Sequence, residues 1–274
     1  MNKKTGIMQG RLLPKYQERY QAHPVGYWKD EFSIASKLGL DSIEFILDYN
    51  DVEENPLLTT NGLEDISKIE KISGVKVRSI CADYFMEAPI HSNDVVIVDS
   101  SINILNRLIR NASLMNVKDI VVPCVDQSSL KNEKYKKNFI NNIKTVVSIA
   151  EDANINISIE SDLAPIPLAN MIDSIGSKNV TVNYDIGNSA ALGYNPVEEF
   201  RAYGDKISDL HIKDRLFGHG PVSLGKGNAD ILKVFELLSK NDYQGLIIFQ
   251  AFRDDEGVEI FKDQLNWFLK NVKL

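Results

Sequence analysis

The sequence predicts a closed (β/α)8 TIM-type barrel, and three observations predict it. Short apolar, β-branched runs alternate with longer amphipathic stretches along the whole chain, the pattern of a parallel sheet whose strands are joined by crossover helices. The alternation repeats eight times. The 274 residues match the roughly 250 of one α/β barrel, so one barrel domain is expected over residues 1–274.

The eight strands are expected at 5–8, 42–46, 76–81, 119–123, 156–160, 181–185, 207–212 and 246–250. The helices that follow them are expected at 29–38, 62–72, 94–115, 133–152, 167–175, 196–203, 229–240 and 257–270. Gly39 closes the first helix, and Asn195 with Pro196 supplies a cap and a first-turn residue for the sixth. No Ser/Gly-rich or Pro-rich linker and no charge block divides the chain. An open doubly wound sheet shows the same alternation, but eight repeats favour closure. Two connections, 9–29 and 216–228, exceed the usual few residues, and both follow strands on the face where barrels carry their active sites.

Composition narrows the class. Hydrophobic residues at 43% and charged residues at 25% describe a globular protein with a large core. The net charge of −7 argues against sequence-independent nucleic-acid binding, which needs clustered Lys and Arg. Cys81 and Cys124 fall in strands and read as reduced core thiols, as in a cytoplasm. Residues 1–10 hold no apolar stretch of leader length, and no run of about 18 apolar residues marks a membrane span.

The last residue of each barrel strand and the first of the next loop point toward the catalytic face. Polar residues recur there: Glu160, Ser161 and Asp162 after strand five, Asp185 and Asn188 after six, His211, Lys213, Asp214 and Arg215 after seven, Gln250 and Arg253 after eight. Glu, Asp, His and Gln from four neighbouring strands suit one divalent cation, Mg²⁺, Mn²⁺, Co²⁺ or Zn²⁺. The alternative is a hydrogen-bonded cluster that closes the mouth without metal. Asp209 or Asp214 is placed to hold the imidazole in its ligating tautomer. Glu44, ending strand two, can orient a substrate hydroxyl or a ligand, or pair with a barrel cation. Lys213, Arg215, His219, Lys226 and Arg253 add positive charge for a phosphate or carboxylate, or lie in solvent. Gly225 and Gly227 either let backbone amides approach that anion or form turns.

The segments Gly6 to Arg11, Trp28 to Phe32, Gly39 to Glu44, Asn183-Tyr-Asp-Ile-Gly-Asn188, His211-Ile-Lys-Asp214, Leu224 to Gly227 and Tyr243 to Ile247 resemble, in order, motifs of the xylose isomerase-like superfamily of sugar and sugar-phosphate isomerases and epimerases. The resemblance covers nearly the whole length. It implies a divalent metal held by Glu160, Asp185, His211 and Gln250, a small keto sugar or sugar phosphate as substrate, and a homo-oligomer. Where the family pattern has a second Glu this chain has Gln250, and an amide cannot take and return a proton. Glu160 is then the base, with Lys213, His219, Glu44 or a metal-bound water as the second proton carrier. An enediolate formed by Glu160 leads to isomerisation, epimerisation or dehydration. Two other readings are a type IV endonuclease-like phosphodiesterase, for which four histidines are few, and a sugar-binding barrel without turnover.

Overall fold

The computed structural model describes residues 5–272; residues 1–4, part of the stretch read for a leader, lie outside them. Eight strands form a closed parallel barrel: β1 Thr5–Met8, β2 Ser42–Ile46, β3 Lys76–Cys81, β4 Asp119–Cys124, β5 Asn156–Ser161, β6 Val180–Asp185, β7 Ile207–Ile212 and β8 Leu246–Phe249. Each pairs with its sequence neighbours, and β8 closes the ring against β1 through Thr5↔Ile247 and Ile7↔Phe249. Closure removes every sheet edge, and the rival open sheet is excluded.

Strands of a parallel barrel are buried on both faces and read as near-continuous apolar runs, which is why their expected bounds hold to within one residue. Outward-facing Ile43, Phe45, Ile159 and Phe249 pack beneath the helices in the main core, with Phe32, Leu105, Phe139 and Phe268 from the helical layer. Burying each such side chain stabilises the fold by roughly 1.5–3 kcal/mol. On the other face, Met8, Ile46, Cys81, Val121 and Ile248 form a separate small cluster. The barrel interior is tight at β1, where a Cβ on Gly6 would collide with Ser42 Oγ and Ile248.

The expected helix over 133–152 is divided into Glu133–Lys144 and Val147–Ala153. The break falls on Thr145-Val146-Val147, a β-branched run that loses rotamer freedom in a helix. A helix not expected from the sequence, Ile186–Leu192, starts directly at the end of β6; the Asp185 side chain caps it by accepting from Asn188 N at 2.8 Å. The long 216–228 connection folds back as a short antiparallel ladder, Asp214–Arg215 against Pro221–Val222. No helix among the described residues is long and apolar enough to cross a membrane.

Candidate active site

Glu160, Asp185 and His211 stand near the carboxyl ends of β5, β6 and β7, with Asp185 and His211 in register. One donor atom from each lies within 4.8 Å of the others. They are 5%, 4% and 0% exposed, so water competes little for them. His211 Nδ1 lies 3.8 Å from Glu160 Oε2, while Nε2 lies 2.8 Å from Glu44 Oε1. The Glu44 carboxylate accepts from Nε2, which leaves the Nδ1 lone pair on the side of Glu160 and the Asn183 amide. Burial, then the Asp185 charge, pushes the Glu160 carboxyl up to about 7. Two crowded carboxylates beside an imidazole nitrogen make a donor set that fits a divalent cation, and such a cation relieves their repulsion.

Beneath this group Glu44 and Asp209 face each other, both 0% exposed and both within 4.8 Å of a His211 nitrogen. Glu44 Oε2 and Asp209 Oδ2 have no hydrogen-bond partner in protein. Burial raises both carboxyls, Glu44 to about 7 and Asp209 well above its ordinary value, with the Glu44 charge adding to burial there. A proton shared between the two facing carboxyls would satisfy both oxygens. Neither Asp209 nor Asp214 therefore holds the imidazole, contrary to the sequence expectation; Glu44 does.

Lys213 joins the cluster to the fourth expected ligand. Its Nζ donates to Asp185 Oδ2 at 3.2 Å and to Gln250 Oε1 at 2.8 Å. Gln250 thus stands beside the triad with its carbonyl oxygen engaged by an ammonium, and its Nε2 donates to Gln21 Oε1 at 3.1 Å. On the other side, Asn188 Nδ2 donates to Glu160 Oε1 at 2.5 Å and Arg215 Nη1 donates to Asn188 Oδ1 at 2.7 Å. A rim cleft of about 270 Å³ opens there, lined in part by Asn188, Arg215, Lys131 and Asp162.

Other expected substrate groups are placed elsewhere. Arg253 is 4% exposed, and its guanidinium donates to the carbonyls of Gly10, Leu13, Asp254 and Asp255 at 2.5, 2.7, 3.0 and 3.1 Å. It staples the first long loop to the end of β8, with four of its five N–H groups committed to backbone carbonyls. His219 and Lys226 are exposed on the 216–228 connection, and His219 bonds through its backbone, accepting from Arg215 Nε and donating to the Leu216 carbonyl. The amides of Gly225 and Gly227 do meet an anion, but it is the chain's own: both donate to Asp214 Oδ2 at 2.9 Å, with Ala229 N at 3.0 Å from Oδ1. A Cβ at Gly227 would collide with that carboxylate.

Sequence reasoning gave no role to Gln9, Arg11, Gln21, Asp83 or Asn183, which all lie around the mouth. Gln9 Oε1 accepts from Ile46 N and pairs with His23 Nδ1, both at 3.0 Å. Asn183 Nδ2 lies 3.4 Å from Glu160 Oε2 and 3.1 Å from His211 Nδ1. A signal for Asn183 existed, since it sits two residues before Asp185 and shares its face of the strand.

The model of the xylose isomerase-like TIM barrel matches residues 32–271. L-ribulose-5-phosphate 3-epimerase UlaE of Escherichia coli is 25% identical over 257 residues, 88% of this chain and 89% of that protein. SgbU of Haemophilus influenzae is 27% identical over 244 residues, 83% and 84% of the two chains. Among solved structures, D-psicose 3-epimerase in the presence of D-fructose superposes with TM-score 0.75 at 16% identity, covering 98% and 99% of the chains. The IolI protein with a bound zinc atom gives 0.75 at 17% identity, covering 99% and 100%. The chain belongs to the xylose isomerase-like TIM barrel family.

Proposed function

We propose that the protein is a divalent-metal-dependent isomerase or epimerase of a small keto sugar or sugar phosphate. The observation that carries this reading is the convergence of Glu160, Asp185 and His211 at the barrel mouth. The relatives support it: UlaE is named for epimerising a ketopentose phosphate and the D-psicose enzyme for epimerising a ketose. Glu160, Asp185 and His211 hold the metal, and Gln250 keeps Lys213 at its side. A bound divalent cation supplies Lewis-acid polarisation of the sugar carbonyl and its neighbouring hydroxyl.

Glu160 removes the proton beside the carbonyl. As a carboxylate at the barrel mouth it can accept that proton and return it. Asn188 orients the carboxylate by donating to Oε1, and Arg215 fixes Asn188 in turn. Lys213, a donor seated between Asp185 and Gln250, returns a proton from a second position, which inversion at one carbon requires. Glu44 and Asn183 hold the imidazole. Arg215 and the cleft beside it are suited to a distal phosphate.

The replacement of a glutamate by Gln250 favours a second reading, in which Glu160 alone carries the proton between two carbons and the net reaction is isomerisation. Turnover of candidate ketoses in deuterated water separates the two. If Lys213 is the second acid, Lys213→Met still exchanges the substrate proton into solvent but forms no epimer. A Lys213→Met enzyme that converts its substrate at the native rate rejects that role and leaves isomerisation through Glu160. A Mn²⁺-loaded protein that exchanges no proton from any ketose or ketose phosphate it binds rejects both.

A further inference from the structure

Gln21 reaches from the first long loop into the mouth, between Arg11, Asp83 and Gln250. Its Oε1 accepts from Arg11 Nη2 at 2.8 Å and from Gln250 Nε2 at 3.1 Å, and its Nε2 donates to Asp83 Oδ2 at 2.8 Å. Lys213 sets the direction of the Gln250 amide: because Nζ donates to Oε1, the nitrogen is the atom that faces Gln21. A glutamate at position 250 would offer an oxygen on both sides. Two donors, one of them cationic, therefore converge on a single neutral oxygen.

Arg11 is short of an acceptor. It is 2% exposed, its Nε has no hydrogen-bond partner, and it makes no ion pair among the described residues. Nη1 is satisfied by the Tyr20 carbonyl at 2.9 Å, and Asp83 and Glu31 act on the guanidinium only through space. A buried guanidinium without a contacting counter-ion is expensive, and a carboxamide oxygen compensates it less than a charged one does. Gln21 itself is only half-buried and sits on a loop. Its planar carboxamide has the shape of a carboxylate.

We propose that Gln21 holds the place of a substrate carboxylate, which displaces it to bind Arg11 and the Gln250 amide beside Lys213. The substrate is then an acidic sugar, a ketose oxidised to a carboxylate at the end that enters beside Gln250, rather than a neutral ketose. The second carboxylate oxygen meets the Asp83 carboxyl. Burial pushes that group above its usual range, which eases the approach of a second carboxylate. A tetrahedral phosphate dianion is bulkier than the amide it must replace. The inference rests on the reading of this mouth as the sugar site and deepens it.

Calorimetric titration of the full chain, with and without Mn²⁺, using D-erythronate, erythritol and inorganic phosphate as probes, tests it. Erythronate should bind at least about tenfold tighter than erythritol or phosphate, the worth of one charge-assisted contact. It should weaken by at least about tenfold in Gln250→Glu and in Arg11→Gln, and not in Gln21→Ala. Erythritol or phosphate binding within that margin, or folded Gln250→Glu binding erythronate as the native chain does, overturns the proposal. Mn²⁺ uptake in the same cell reads the cation site separately. A chain that takes Mn²⁺ but discriminates no carboxylate loses the acidic substrate alone, whereas one that selects erythronate but takes no metal loses the metal chemistry instead.

Discussion

His211 Nε2 lies 2.8 Å from Glu44 Oε1 across the barrel interior, and that bond decides which ring nitrogen faces the candidate metal site. A ligating imidazole is held in tautomer and orientation by the acceptor on its other nitrogen, and losing such an acceptor costs about 10–100-fold in metal affinity. Glu44→Leu should weaken Mn²⁺ binding by that factor, read by titration. Unchanged affinity would mean that the ring is positioned by Asn183 alone.

Glu160 is the residue on which turnover depends most in this account. Glu160→Gln keeps an oxygen near the site and removes the base, so kcat should fall by about 10²–10⁴. The variant is assayed at saturating Mn²⁺, so that weakened metal binding does not enter the comparison. Near-native kcat there assigns the proton to another group.

Acid should destabilise the fold through its buried histidines. Burial lowers His23 and His91 from 6.5 to about 4. A depressed folded pKa means that the unfolded chain binds more protons between those values, so stability is lost as pH falls from about 6.5 through 4. His91 packs against Tyr135 and Phe139, with centroids at 5.3 and 6.4 Å, so His91→Phe preserves the apolar surroundings. Thermal melts should show a smaller drop in Tm between pH 6.5 and 4 for that variant than for the native protein. Parallel Tm curves would contradict the assignment.

Arg253 is a structural staple in this fold. Arg253→Met leaves the carbonyls of Gly10 and Leu13 buried without donors and should cost about 2–4 kcal/mol, measured by denaturant unfolding. Hydrogen exchange should rise over residues 10–15 first. Loss of substrate binding at native stability would restore the substrate role that its charge suggests in the sequence.

How far the sequence could be read follows from the range of each interaction. The strands were legible because a parallel barrel strand is a local apolar run, and Glu160, Asp185 and His211 because a polar residue at the end of such a run has few places to go but the mouth. The pairs that give these residues their direction are not local: Glu44 and His211 are 167 residues apart, Gln21 and Gln250 are 229 apart. Charge alone also misplaced Arg253, since a guanidinium serves backbone carbonyls as well as anions. Asp214 shows the same limit, because a glycine pair that fits a ligand anion fits a side-chain carboxylate equally.

The proposed chemistry requires one divalent cation among Glu160, Asp185 and His211. Anomalous diffraction from crystals grown with Mn²⁺ tests it most directly. One strong peak is expected within bonding distance of a Glu160 oxygen, an Asp185 oxygen and His211 Nδ1, lost in Asp185→Ala. A peak at other residues, or none with manganese, cobalt or zinc in turn, would contradict it.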